Sequence, residues 1–397
     1  MPADSPAKSH RVAILLLILA IVGSVIYARM TGPAGASGPL NARTSSPAGA
    51  PTMFTMGADT NLGWSTTVSA AHATLAELRT GGIHQVRQDF RWDLIQPVSP
   101  SAYSWERTDA IMVAASVSRA NVLPILDYSP KWSNGGAGAT TAPFNNADFA
   151  RFAGAVVRRY GPGGTFWADH PKLTADPLST VEVWNEPWCT RSWAKPDPHA
   201  YANLVRQTAR AVRAVAPLTK VAVSMDAMNI GGGPYANTSK WDVALLAAFP
   251  DITTYASVAS VHLYSADKLA PNLADLGAIP RISADMAAAS VHLPIWITET
   301  GSDAAAISAT LPGAASRTIT PQARTLQATY MATTLTYLSQ LPASTDLRRV
   351  YVFSAAREAF TDATVQSTPL DGYFLTTPSG APQPALKVAY SWASPSS

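Results

Sequence analysis

The chain contains 397 residues, of which 47% are hydrophobic and 14% charged, and its formal net charge is +3. So high a hydrophobic fraction excludes disorder for most of the chain, because such a sequence can bury a large core. Lys and Arg do not cluster into a run typical of nucleic-acid binding, so we expect no nucleic-acid partner. The single cysteine, Cys189, excludes an intramolecular disulfide and a zinc site built mainly from cysteines.

An uncharged apolar segment lies near the N-terminus, over residues 12–28. Its length is at the lower limit for a membrane-spanning helix, and the basic residues before it predict that residues 1–11 stay in the cytoplasm. We therefore expect a single-pass anchor in the cell membrane with the folded part outside the cell. Secretion after signal cleavage near Ala34 is the alternative. Residues 29–52, rich in Gly, Pro, Ala and Ser, are predicted to form a flexible linker.

From residue 53 onwards, short runs of β-branched and aromatic residues alternate with amphipathic stretches. The runs predict eight strands, at 53–56, 82–90, 121–128, 181–184, 220–225, 259–264, 294–298 and 348–353. Apolar residues at helical spacing predict helices at 147–159, 201–215 and 322–339. This alternation predicts an α/β fold, a single (β/α)8 barrel over residues 53–397. A doubly wound open sheet is the alternative, but no glycine-rich phosphate-binding sequence follows the first strand.

Two of the predicted strands end in a glutamate. The fourth runs into Trp-Asn-Glu-Pro-Trp, which contains Glu186, and the seventh runs into Thr-Glu-Thr-Gly, which contains Glu299. A carboxyl group is costly beside an apolar core, so two of them at strand ends indicate chemistry or ion pairing. In (β/α)8 barrels, catalytic side chains project from the carboxyl ends of the strands. Cleavage of a glycosidic bond needs one protonated and one ionised carboxyl group, and this pair can supply both.

With these motifs, the chain resembles a large clan of retaining (β/α)8-barrel glycoside hydrolases that includes cellulases, β-xylosidases and exopolysaccharide hydrolases. The clan carries its two catalytic glutamates on strands four and seven. The resemblance covers about residues 53–390 and implies that Glu186 is the general acid/base and Glu299 the nucleophile. It also implies that Asn185, before the acid/base, binds the 2-hydroxyl of the sugar.

Other positions follow the pattern of the same clan. Arg87, in the second strand, matches an arginine beside the nucleophile and is expected to favour the ionised form of Glu299. His262 and Tyr264, in Val-His-Leu-Tyr, match a histidine that contacts substrate and a tyrosine that hydrogen-bonds the nucleophile. The eighth strand departs from the pattern, because Phe353 stands where many clan members have a tryptophan under the sugar. The identity of the sugar is therefore left open.

Tryptophan rings can stack on the C–H faces of sugars, and several of the 11 tryptophans follow predicted strands. Trp188, beside the acid/base, and Trp132 are predicted to contact substrate. For Trp193 the sequence leaves a sugar contact and a core position open. Trp184 and Trp296 lie within predicted strands and are expected in the core.

The expected reaction is hydrolysis with retention of configuration, through a glycosyl-enzyme formed on Glu299. A dry pocket and the nearby anion are expected to raise the pKa of Glu186, so that it carries a proton. The expected substrate is a β-linked polysaccharide or oligosaccharide of the cell surface or the extracellular medium, and neither a metal nor an organic cofactor is implied. A transglycosylase with the same residues and a non-catalytic carbohydrate-binding barrel are the alternatives.

Overall fold

The computed structural model describes residues 54–60, 62, 68–264, 276–311, 318–355 and 370–393. Eight parallel strands pair in chain order, and β1 also pairs with β8, so the sheet closes into a barrel. The strands are Thr55–Asp59 (β1), Gln85–Arg91 (β2), Asn121–Asp127 (β3), Thr180–Val183 (β4), Lys220–Ser224 (β5), Val258–Leu263 (β6), Ile295–Thr300 (β7) and Leu347–Val352 (β8). All eight overlap predicted strands, the first by only two residues, and the single (β/α)8 barrel is confirmed.

Helices cover the outside of the barrel. Those among the described residues are Val68–Thr80 (α1), Trp92–Ile95 (α2), Glu106–Ser118 (α3), Asn146–Tyr160 (α4), Thr165–Asp169 (α5), Pro198–Val215 (α6), Trp241–Ala248 (α7), Ile252–Tyr255 (α8), Ala278–Ala288 (α9), Ala304–Ala309 (α10), Pro321–Ser339 (α11) and Pro384–Trp392 (α12). The three helices predicted from apolar spacing are confirmed as α4, α6 and α11. Asp197 starts α6 by accepting hydrogen bonds from the backbone N–H groups of His199 (2.8 Å) and Ala200 (3.1 Å).

The predicted membrane segment, 12–28, and the predicted linker, 29–52, lie outside the described residues. Among the residues that are described, no helix has both the length and the apolar character needed to cross a membrane. The first described residue, Phe54, is buried and stacks on Trp392 of the last helix, with ring centroids 6.1 Å apart. The two ends of the barrel sequence are therefore packed against each other.

The floor of the barrel is apolar. Five inward-facing side chains fill it: Leu123, Ala222, Val258, Trp296 and Tyr351. The Tyr351 ring fits there because Gly57 lies opposite, and a Cβ atom at position 57 would lie 2.4 Å from the ring. Trp296 and Trp184 are 5% and 1% exposed, which confirms their predicted core positions.

Above this floor the barrel interior becomes polar. Alternate side chains of each strand face inward, and the next inward layer holds Asp59, Arg87, Glu182 and Thr298, all buried. We call these four residues the polar layer. Charged groups at this depth are tolerated only when they are paired and hydrogen-bonded, so the polar layer marks the end of the barrel where the site lies.

Strand β7 is irregular at this level. Its pairing with β6 shifts register between Val261 and His262, and its pairing with β8 shifts between Ile297 and Thr300. In a regular strand, consecutive side chains point to opposite faces. Here the irregularity lets two consecutive residues, Thr298 and Glu299, both bond to groups inside the barrel.

Candidate active site

Glu186 lies just beyond β4, on a segment with an uncommon backbone conformation. The φ angles of Trp184 and Glu186 are +62° and +40°, in a region that non-glycine residues rarely adopt and that is often found at functional sites. The turn is held by the Trp184 indole, which donates to the carbonyl of Ser192 (2.8 Å), and by the Cys189 N–H, which donates to the carbonyl of Glu186 (2.9 Å). This backbone turns the Glu186 carboxylate towards β6.

Glu299 lies within β7 rather than after it, because the strand continues to Thr300 and pairs there with Leu263 of β6. Its Oε1 accepts a hydrogen bond from Arg87 Nη1 (2.6 Å), and its Oε2 accepts one from the hydroxyl of Tyr264 (2.8 Å). Both oxygens of the Glu299 carboxyl group therefore accept a hydrogen bond, one of them from a cation. Both partners are those that the sequence predicts.

His262 lies between the two glutamates. Its Nδ1 is 3.1 Å from Glu186 Oε1 and 3.5 Å from Glu299 Oε2, and its backbone N–H donates to Asp226 Oδ1 (2.6 Å). Burial lowers the pKa of His262, but the charge of Glu299, the hydrogen bond to Glu186 and the charge of Asp226 together raise it to about 10. The other ring nitrogen of His262, Nε2, lies 3.4 Å from Arg87 Nη2.

The pKa of Glu186 is lower than expected from the sequence. Burial raises it, but the hydrogen bond from His262 and the positive charges of His262, Arg191 and Arg87 outweigh burial and hold the pKa below its ordinary value. The prediction of a raised pKa is therefore wrong for this arrangement. That prediction treats His262 only as a sugar ligand, whereas in the structure its ring also hydrogen-bonds Glu186.

The two glutamates lie close together. An oxygen of Glu186, an oxygen of Glu299 and a ring nitrogen of His262 all lie within 4.8 Å of one another. Spacing alone would let these three residues ligate a divalent cation. A protonated imidazole has no free lone pair for a metal, and its single Nδ1 proton faces both carboxyl groups, nearer to Glu186 than to Glu299.

Arg87 connects Glu299 to the other members of the polar layer. It is 1% exposed, and it donates from Nε to Glu182 (2.6 Å) and from Nη1 to Asp59 (2.7 Å) as well as to Glu299. Its Nη2 lies 3.3 Å from Asn185 Oδ1, so the asparagine of the Asn-Glu-Pro motif is also held in place.

Sequence reasoning assigned no role to the other members of the polar layer. Glu182 accepts from Arg87 and from the hydroxyl of Thr298 (3.0 Å), and Asp59 is the third carboxylate around Arg87. Glu182 could have been noticed, because a charged residue between two valines inside a predicted strand is unusual. Nothing local in the sequence marks Thr298 or Asp59.

The predicted sugar-contacting tryptophans differ in their surroundings. Trp188 is half-buried, and its indole N–H has no hydrogen-bond partner among the described residues. Trp132 is also half-buried, but its indole N–H donates to the carbonyl of Gln96 (2.7 Å) and its ring packs edge-on against Trp92. Trp193 is 3% exposed and packs against Trp184, which identifies it as a core residue.

Phe353, which stands where many clan members have a tryptophan, forms part of an aromatic cluster. Its ring lies edge-on to Tyr264 (6.4 Å between centroids) and to Tyr373 (5.8 Å). Tyr264 is the residue that bonds Glu299, so the aromatic cluster lies next to Glu299 on the β8 side of the barrel.

No protein-family model and no curated protein sequence matches this chain. Solved structures do match in fold. A monomeric β-xylosidase from Caulobacter crescentus CB15 is 19% identical, with a TM-score of 0.60 over 85% of this chain and 67% of that chain. The GH39 enzyme from Xanthomonas axonopodis pv. citri is 19% identical, with a TM-score of 0.57 over 85% of this chain and 65% of that chain.

A third match is GH5_18 from Streptomyces cattleya in complex with GlcNAc, which is 15% identical, with a TM-score of 0.58 over 85% of this chain and 79% of that chain. Our chain thus spans slightly less than two thirds of the Xanthomonas enzyme. The likenesses establish a shared (β/α)8 fold, and the resemblance to this clan of barrels is confirmed at that level.

Proposed function

We propose that the protein is a retaining glycoside hydrolase with Glu299 as nucleophile and Glu186 as general acid/base. One observation carries the proposal: at the polar end of the barrel, one carboxyl oxygen of Glu186, just after β4, and one of Glu299, in β7, lie within 4.8 Å of each other. Retaining enzymes separate their two carboxyl groups by about 5–5.5 Å, whereas inverting enzymes leave about 6.5–9.5 Å for a water molecule. The short approach favours direct attack by one carboxylate. Glycosidases with the same fold support the proposal.

The reaction proceeds in two displacements. Glu299 attacks the anomeric carbon, and the bond to the leaving oxygen breaks as Glu186 gives that oxygen its proton. Glu186, now ionised, takes a proton from water, whose oxygen attacks the same carbon and releases Glu299. Each step inverts the configuration, so the product retains it.

Glu186 needs a proton for the first displacement, although its neighbours lower its pKa. A sugar that enters the pocket excludes water and competes for the hydrogen bonds of His262. Both effects favour the protonated form of Glu186. We infer that Glu186 becomes protonated when substrate is bound, rather than in the free protein.

The proposal extends to the substrate, a β-linked polysaccharide or oligosaccharide. The proposal is supported by one of the matching structures, which is a β-xylosidase. Trp188, Phe353 and Tyr373 supply aromatic surfaces of the kind that stack on sugar rings.

The test is release of reducing sugar from a panel of β-glucans, xylans, mannans, galactans and bacterial surface glycans. We expect release from at least one glycan, and its loss in Glu299→Ala. Glu106→Ala is the matched control, because Glu106 is an exposed glutamate on α3 and should leave activity unchanged. Binding of an oligosaccharide without turnover, measured by titration calorimetry, would instead support the non-catalytic alternative.

We also propose that residues 12–28 hold the barrel at the outer face of the cell membrane. The proposal is supported by the uncharged run and the basic residues before it. We expect external protease to degrade the barrel in intact cells, and we expect a chain lacking residues 1–28 to leave the membrane fraction. Protection from the protease until the cells are lysed would contradict this location.

A further inference from the structure

We propose that Glu182 is a positioning residue for the nucleophile, acting through Arg87 and Thr298. The inference rests on the proposed function, because it concerns the same site. Glu182 lies within β4 and is 2% exposed, so it is placed below the catalytic pair rather than against substrate.

The contacts of Glu182 form a closed ring. Its Oε2 accepts from Arg87 Nε (2.6 Å), and Arg87 Nη1 donates to Glu299 Oε1 (2.6 Å). Its Oε1 accepts from Thr298 Oγ1 (3.0 Å), and Thr298 is covalently joined to Glu299. Glu182 therefore holds the nucleophile by two routes, one through the side chain of Glu299 and one through its backbone.

The guanidinium group in this ring is unable to rotate freely. An arginine has five N–H donors in one plane. In Arg87, Nε is directed at Glu182, Nη1 at both Asp59 and Glu299, and Nη2 at Asn185. Among the described residues only Glu182 accepts from Nε, so its loss removes the bond that fixes one end of the guanidinium plane.

The strand that carries the nucleophile needs such support. The register of β7 shifts against both neighbours at Thr298: on the β6 side the regular pairing stops at Ile297 and resumes at Glu299, so the ladder is interrupted next to the nucleophile. The hydroxyl of Thr298, bonded to Glu182, supplies a fixed point within the irregular segment. Positioning of the reacting atoms within fractions of an ångström is worth large factors in rate.

The test compares kcat and KM for the wild type, Glu182→Gln, Glu182→Ala and Thr298→Val on the substrate found in the panel. Glutamine keeps an acceptor for Arg87 and an amide for Thr298, so we expect its kcat within about threefold of the wild type. For Glu182→Ala and Thr298→Val we expect kcat to fall by roughly 10- to 100-fold, because misplacement of reacting groups costs rate. KM should stay nearly constant, since Glu182 does not touch substrate.

Thr108→Val is the matched control. Thr108 is 3% exposed and bonds the Tyr160 hydroxyl (2.7 Å) outside the site, so its loss should lower the unfolding temperature and leave kcat unchanged. Wild-type kcat in Thr298→Val and in folded Glu182→Ala would reduce Glu182 to a structural role and overturn the inference. Equal damage by Glu182→Gln and Glu182→Ala would overturn it too, because charge rather than position would then matter. If Glu182→Ala fails to fold, the kcat values of Thr298→Val and Glu182→Gln decide between a positioning and a structural role for Glu182.

An inactive wild type would contradict the proposed function together with this inference. An active wild type whose variants keep full kcat would contradict the inference alone.

Discussion

At the scale of single residues, His262 has the largest influence on the charge beside the two glutamates. It contacts both catalytic glutamates through one ring nitrogen, at 3.1 Å and 3.5 Å, and its pKa is raised to about 10. With that pKa, the His262 ring between the two glutamates is positively charged at neutral pH. The same contact lowers the pKa of Glu186, which has to be protonated for catalysis.

The first prediction concerns pH. Activity that depends on protonated Glu186 is lost as pH rises through the pKa of that group. The ratio kcat/KM reports the free protein and kcat reports the substrate complex. Because His262 and Arg191 lower the pKa of Glu186 in the free protein, the basic limb of kcat/KM should lie at lower pH than the basic limb of kcat.

The variant His262→Gln should move the basic limb of kcat/KM towards that of kcat, because it removes the cation beside Glu186. Full pH profiles of the wild type and the variant measure this. Coincident limbs in the wild type would show that His262 does not hold the pKa of Glu186 down.

The residues of the candidate site could largely be named from the sequence, while their electrostatics could not. Arg87, Tyr264 and Glu299 meet as the resemblance implies. The contact between His262 and Glu186 joins strands β6 and β4, and no local pattern reports a distance across a barrel. The pKa of Glu186 depends on that distance, which is why its predicted direction was wrong.

At the scale of elements, the strands were predictable because they are buried on both faces and therefore read as β-branched and aromatic runs. The residues at which the strands end were harder to predict. The sequence predicts that β7 ends at residue 298, but the strand continues to Thr300. Its register against β6 shifts before Glu299, and the pairing then resumes, up to Thr300 with Leu263. Such a shift depends on neighbouring strands, and residue preferences do not encode it.

The second prediction tests the packing of β1 against β8. Gly57→Ala should destabilise the fold by roughly 1–3 kcal/mol, because the new methyl group would overlap the buried Tyr351 ring. Gly154→Ala is the control. Gly154 lies within α4, and a Cβ atom there would meet the carbonyl oxygen of Ala211, in α6, at an ordinary distance of 3.6 Å. That change should stabilise by roughly 0.5–1 kcal/mol.

Urea unfolding of both variants measures these two free energies. Effects of the same sign at the two glycines would contradict the account of the barrel floor.

At the scale of the whole molecule, closure of the barrel creates the site. Strands β2, β4, β6 and β7 are far apart in the chain, yet they bring Arg87, Glu186, His262 and Glu299 to one end of one barrel. The proposed hydrolase is a consequence of that closure, because neither glutamate alone can perform a double displacement.

The most direct test of this account is the configuration of the first sugar released. Once the panel has given a substrate, proton NMR can follow the anomeric signals during hydrolysis by the wild type. We predict that the first product has the anomeric configuration of the substrate, and that Glu299→Ala forms no product at a comparable rate. A first product of inverted configuration would contradict attack by Glu299 and the central claim with it.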